Sequence, residues 1–356
     1  MNTTVEVLGF AREPAWLPWA VSYFFLIGIS TTAFFLSLPG LVWRRPDWRG
    51  VSRRALLVAL VCGLTGPVAL LADLHQPGRF LNFYLHPNSG SWMAWGAFFI
   101  PVYMFGLCLY AWLCLRPQLA AMGQSGEKFA GLYRRLAYGG HDNPGAIRMA
   151  ALVGSIGAAL ILLYTGMEVM VVQARALWHS PVLPLLLLVS ALSGGLGMTG
   201  LFEVMSGNRA AAPLLNRWLA YSQWASLLLL AVWGLLGASG LSSAAAEALA
   251  AMQGAFSWWV TGAWLIGSTV LTLWLASARR HTLLLPALFA LQGAWLVRWI
   301  VLMVSQSLPK MGATTSRYVL TLTPDGLLGI VGMVGLCLTI YIVLTSLVPW
   351  DEPAEV

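Results

Sequence analysis

Charge is scarce in this chain: Asp, Glu, Lys and Arg together make up 9% of its 356 residues, against roughly 25% in ordinary soluble domains. That shortage excludes a water-soluble enzyme or a nucleic-acid-binding module. Long polar stretches are missing as well. The longest, residues 116–147, is only 32 positions and is broken by Gly and Pro, too short to build a core of its own. Cysteine is limited to Cys62, Cys108, Cys114 and Cys337, all inside apolar runs and without a paired spacing. This excludes a disulfide framework or a metal-thiolate cluster, and helix packing is the expected role. The N-terminus lacks a basic region followed by a short apolar stretch and a small-residue cleavage site, so no removable signal peptide is expected.

What is present is apolar. Hydrophobic residues account for 59% of positions and mean hydropathy is +0.76. Runs of about 20 such residues, each able to cross a hydrocarbon layer of roughly 30 Å as a helix, recur along the chain. The fold class is therefore all-α, a polytopic transmembrane helical bundle. Nine spans are expected, at 17–43, 55–72, 91–115, 148–173, 181–204, 215–238, 256–277, 282–305 and 327–348. They form one integral membrane domain over residues 1–356, with its core at 16–348.

The basic residues set an expected orientation. "WRRPDWRGVSRR" carries Arg44, Arg45, Arg49, Arg53 and Arg54, and the connection after the third span adds Arg116, Lys128, Arg134, Arg135 and Arg148. Alternation puts Arg209, Arg217, Arg279 and Arg280 on the same side. The other side holds only Arg12, Arg79, Arg175, Lys310 and Arg317. The excess of basic residues marks the cytoplasmic face, which places the N-terminus outside and the C-terminus inside. The net charge of +7 then reflects topology and contact with anionic lipid, with no nucleic-acid partner implied. Residues 73–90, 174–180, 239–255 and 306–326 become outer connections. In the first of them, Phe80, Phe83, Tyr84 and Trp92 suit an interfacial aromatic belt.

An ionisable side chain at membrane depth costs about 2.5–3.5 kcal/mol, so each requires a partner or a task. Asp73, Glu168, Glu203 and Arg298 stand out. Asp73 ends the second span on the outer side. Tyr164 and Glu168, four residues apart, share one helix face. Arg298 lies about five residues, or roughly 8 Å, from the outer end of its helix; pairing with Asp73 or Glu168 would satisfy it, and a buried pair that only joins helices is the competing reading. Glu203, near an inner end, is expected to snorkel out or meet Arg209.

Haem in a helical bundle needs imidazoles within the helices, yet His75, His86 and His179 fall in outer connections and His141 and His281 in inner ones. No haem, iron-sulfur cluster or metal site is expected. His75, two residues from Asp73, suits a proton relay near neutral pH, the alternative being a solvated loop histidine. A quinone head group has two carbonyl oxygens that exchange protons as two electrons move. Its site needs an apolar aromatic slot with proton-exchanging groups near water. Tyr23, Asp73, His75 and Tyr164 answer that description at the outer face.

These residues carry a family resemblance. "WLPWAVSYFFLIGIS", "ADLHQPGRFLNFYLHPNSGSWMAWG" and "LLYTGMEVMVVQARALWHSPVLPLLLLVSALSGG", with the later "FSWWVTGAWLIG" and "LVRWIVLMVSQ", make the chain resemble the NrfD-type membrane subunits over nearly its whole length. These are the quinone-reactive anchors of polysulfide, tetrathionate and cytochrome-linked nitrite reductases. The tetrathionate-reductase branch fits best, on the "WLPWAVSYFF" opening and the ninth span. The resemblance implies a menaquinol or ubiquinol site near the outer face of a bacterial inner membrane. It also implies a four-cluster iron-sulfur subunit docked on the periplasmic side, serving a molybdopterin catalytic subunit. Tyr164 corresponds to the family's quinone-contacting tyrosine and Asp73 to its protonatable position before proline. Tyr23 stands where other members offer a histidine, and Glu168 where many are apolar. The cofactor-binding set is then Tyr23, Asp73, Tyr164, Glu168 and Arg298, with Asp73, His75 and Tyr164 handling protons.

Two other classes fit the composition. A secondary transporter would use Gly-broken helices such as "SGGLGMTG" in related halves and a site near the midplane, but no repeat of such breaks is found. A passive anchor would hold partners without quinone turnover.

Overall fold

The computed structural model describes residues 14, 16–74, 76–124, 129–139, 141–253, 256–278, 281–307, 318–348 and 350. Its helices are α1 (Pro18–Leu41), α2 (Arg49–Asp73), α3 (Asn82–Leu85), α4 (Trp92–Met122), α5 (Ala130–Leu136), α6 (Pro144–Met170), α7 (Val182–Met205), α8 (Ala212–Ala238), α9 (Ser243–Gln253), α10 (Phe256–Ala278), α11 (Leu284–Leu302) and α12 (Leu327–Leu347). Among the described residues there is no strand, and nine helices are long and apolar enough to cross a membrane. This is a multi-pass membrane protein. Helix is the expected outcome, because a backbone in lipid must satisfy its own N–H and C=O groups.

Local sequence starts and stops these helices. Pro18 and Pro144 occupy first-turn positions, where the missing N–H costs nothing. The Asn143 side chain accepts from the Ala146 N–H at 3.0 Å, capping α6. The nine spans fall where hydropathy puts them, but three ends on the arginine-rich side run further into polar sequence. α2 starts at Arg49, not 55, α4 continues to Met122, and α6 starts at Pro144. Arginine stems snorkel along the helix while the heads reach polar surroundings, so a helix need not stop where apolar residues do. The short helices α3, α5 and α9 lie within the connections.

Two groups of four helices organise the chain. α1, α2, α4 and α6 pack in one ring, and α7, α8, α10 and α11 in another. α1 is the shared element, touching α2 and α6 on one side and α7 and α11 on the other; α12 lies against α2 and α1. Most of α1 is buried, whereas Gly329 and Met333 are the buried residues of α12.

Polar contacts gather the connections at two opposite ends, as alternating spans require. At one end Gln306 Oε1 accepts from the Trp16 N–H at 3.3 Å, and its Nε2 donates to Trp16 O at 2.9 Å. Nearby, Trp19 Nε1 donates to Asp325 Oδ1, and Trp178 Nε1 donates to Val301 O and Ser305 Oγ. Arg175 stacks on Trp178 and donates to Ser305 O; burial lowers its pKa from the ordinary guanidinium value. Burial also raises the Tyr318 phenol, helped by nearby Asp325. At the other end Arg44 pairs with Asp142, and Tyr133 Oη donates to Leu347 O. Glu203 is found there too, but it neither snorkels nor meets Arg209. Only 1% exposed, it accepts from Asn208 Nδ2 at 2.9 Å and faces Arg54 at 3.8 Å. The longer α2 makes that pairing possible, since it carries Arg54 into the bundle.

Candidate functional site

At the Trp16 end of the first ring lies a cavity of about 390 Å³, within the roughly 300–1,000 Å³ range of small-molecule sites. Each helix of the ring contributes a wall. α1 and its start supply Trp16, Ala20, Tyr23 and Phe24; α2 supplies Pro67, Leu70, Leu71 and Asp73. Met93, Ala97 and Ile100 come from α4, and Tyr164 and Glu168 from α6. Phe80, Phe83 and Tyr84, in and beside α3, close the remaining side.

Four of the six expected site residues therefore meet on one cavity: Tyr23, Asp73, Tyr164 and Glu168. One turn of α6 separates Tyr164 from Glu168, which puts phenol and carboxylate on the same wall. Asp73, the last residue of α2, accepts from the Leu17 N–H at 3.4 Å through Oδ1, tying the end of α2 to the start of α1. His75 lies outside the described residues.

Two polar atoms in these walls are incompletely satisfied. The Tyr23 hydroxyl and Glu168 Oε2 are buried and make no hydrogen bond within 3.5 Å, although both residues neighbour the Tyr164 hydroxyl, which stands between the other phenol and the carboxylate. A buried polar group left unpaired costs on the order of 1–3 kcal/mol, and buried polar groups in folded proteins are overwhelmingly paired. Such atoms on an otherwise apolar cavity are suited to a ligand with its own polar groups. Close packing fixes the rest. A Cβ at Gly96 would fall 2.5 Å from Tyr164 Cζ, so only glycine lets α4 lie flat against the phenol ring.

Arg298 is not among the cavity residues, and it pairs with neither Asp73 nor Glu168. α11 belongs to the second ring and reaches α1 from there. Its guanidinium, 2% exposed, donates from Nε to Phe24 O at 2.8 Å, from Nη1 to Ala294 O at 2.8 Å and to Ser190 Oγ at 3.2 Å, and from Nη2 to Leu187 O at 3.4 Å. A Cβ at Gly28 would come within 2.7 Å of Nη2. Neutral oxygens satisfy this cation, and Phe24, whose side chain lines the cavity, links the two places.

The aromatic residues of the connection after α2 have a further place. Phe80, Phe83 and Tyr84, expected in an interfacial belt, also line the cavity, while Phe80 and Tyr84 keep exposed surface; Tyr84 Oη donates to Ala97 O at 3.0 Å. Trp92 does not line it. Positions 80, 83 and 84 fall on one side of a helical turn, a spacing that distinguishes a wall from scattered belt residues. Beyond Phe80 and Phe83 a more polar cleft, lined by Arg79, Asn82 and His86 among others, adjoins the cavity and shares Leu74, Phe80 and Phe83 with it. Among the described residues, no group of three or more His, Cys, Asp or Glu side chains is arranged to hold a metal.

Comparison with known proteins gives one consistent result. Residues 7–310 match the family model described as polysulphide reductase, NrfD. A tetrathionate reductase subunit of Salmonella typhimurium is 33% identical over 353 residues, covering 95% of this chain and 94% of that protein. A selenate reductase subunit of Mesobacillus selenatarsenatis is 25% identical over 58% of this chain and 52% of its own length. Protein NrfD of Escherichia coli is 25% identical over 80% of this chain and 91% of its own.

Proposed function

The chain belongs to the polysulphide reductase, NrfD family, and from that premise we propose that it is the quinol-oxidising membrane subunit of a reductase complex in a bacterial inner membrane. Similarity over almost the full length to a tetrathionate reductase subunit favours that branch. The whole chain serves as one quinone-reactive domain, and the substrate is menaquinol or ubiquinol.

The observation that carries this reading is the cavity at the Trp16 end of the first ring, with Tyr23, Tyr164 and Glu168 side by side in otherwise apolar walls and the Tyr23 hydroxyl and Glu168 Oε2 short of a close hydrogen bond. The fit is chemical as well as spatial. A quinol head group is a flat apolar ring with a hydroxyl at each end; aromatic walls take the ring, and orphaned oxygens take the hydroxyls. When bound, quinol supplies two electrons and two protons on oxidation. Tyr164, held against Gly96, orients one hydroxyl and takes part in moving its proton. Glu168 accepts a proton from the buried side, where no water competes. Asp73, at the mouth, passes protons outward, and His75 follows it in the chain. Electrons leave to a four-cluster iron-sulfur subunit docked on the same face, and from there to a molybdopterin catalytic subunit.

The test uses membranes holding the complete complex. Tyr164→Phe should slow oxidation of a soluble quinol analogue by about tenfold or more, within the range of a lost proton-handling group, with the make-up of the complex unchanged. Solvent extraction of the purified complex should yield quinone. Unchanged turnover in the variant, together with no extractable quinone, would leave a passive anchor.

A further inference from the structure

A second cavity, of about 670 Å³, opens at the opposite end of the molecule, between the end of α1 and the start of α6. Its composition changes with depth. Arg44 and Arg148 stand near the helix ends, while Leu38, Met149 and Leu152 continue the walls along the two helices. Leu152 lies one turn deeper than Arg148, and Ser155 nearly two turns, roughly 10 Å by the helical rise. Cations at head-group level above an apolar groove running into the hydrocarbon match a phospholipid, with its phosphate outermost and its acyl chains within.

Two further observations mark the site. Arg44 has φ +54°, and among the described residues it is the one non-glycine with positive φ. It follows the end of α1, where the left-handed conformation is usually supplied by glycine. Keeping arginine there strains the backbone at a position that lines the groove. Arg44 spends one N–H group on Asp142, leaving four of its five donors; Arg148 makes no side-chain hydrogen bond or ion pair among the described residues. Two cations against one carboxylate leave the cleft positive, and basic pockets between membrane helices bind anionic head groups.

We propose that this cleft is a binding site for an anionic two-chain phospholipid, its phosphate clamped between Arg44 and Arg148 and its acyl chains lying along Leu38, Met149 and Leu152. The site is independent of the quinol cavity and keeps its occupant whichever way the chain is inserted.

The full-length protein, purified with mild detergent from phosphatidylglycerol-containing membranes and weighed intact by native mass spectrometry, should retain phosphatidylglycerol in preference to phosphatidylcholine. Arg44→Gln combined with Arg148→Gln should weaken retention by on the order of tenfold or more. Arg44→Gly guards against misfolding. It relieves the backbone, so the thermal midpoint in phosphatidylcholine nanodiscs should not fall, while the extra stability conferred by phosphatidylglycerol should shrink. Equal retention by the double variant would overturn the proposal, as would an undiminished phosphatidylglycerol effect in Arg44→Gly. Inorganic phosphate or glycerol phosphate reproducing the stabilisation would overturn it too, by showing a free-anion site.

Discussion

Tyr23, Asp73, Tyr164 and Glu168 are legible as a group because each is a polar side chain in an apolar run, towards the same end of its span by residue counting. Counting residues along alternating spans is enough to bring them to one end. Gly96 is not legible. Glycine is frequent in membrane helices, and nothing in the sequence separates the one beneath a phenol ring from the other 35. Its close approach makes a sharp prediction. Gly96→Ala drives a methyl into Tyr164, and overpacking of this kind costs about 1–3 kcal/mol. Quinol oxidation should fall severalfold and the thermal midpoint of the detergent-purified protein should drop. Gly262, where an added Cβ would meet nothing within 4 Å, provides the control: Gly262→Ala should leave both unchanged.

At the scale of helices, hydropathy locates each span, because lipid demands about 20 apolar residues regardless of partners. It says nothing about which helix neighbours which. Arg298 shows the consequence: its depth can be read from residue counting, but its partners come from α1 and α7 rather than from an acid. Its role can be divided into charge and volume. Arg298→Met keeps much of the volume, and removing the cost of a buried charge offsets the loss of its hydrogen bonds to neutral oxygens. Arg298→Ala leaves a void at the junction of α1, α7 and α11, with a penalty of about 2–5 kcal/mol by analogy with large-to-small core changes. Thermal unfolding in detergent should therefore rank wild type and Met close together, with Ala well below. If Met is as unstable as Ala, the hydrogen bonds to Phe24, Leu187 and Ala294 matter more than the packing.

For the molecule as a whole, the alternation of spans is visible in polar contacts at both ends. The sequence adds a direction through the placement of its arginines. A single cysteine at Ser89, in a background lacking the four native ones, should react with a membrane-impermeant maleimide in cells with permeable outer membranes. One at Arg45 should react only after the inner membrane is opened. The reverse pattern would put the proposed quinol cavity on the cytoplasmic side and require its partner there.

The shared position of α1 also bears on how the chain is made. It is synthesised before α7 and α11, yet one of its sides is completed only when they arrive, some 150 to 260 residues later in the sequence. Until then that side must rest against lipid. Thr31 and Thr32 face this delay with hydroxyls already turned back onto the carbonyls of Ile27 and Gly28, satisfied without any neighbour. When α7 docks, Thr32 adds a bond to Ala191 O at 2.9 Å. α1 is thus provisioned to wait, and the growing bundle closes around it as the later helices dock.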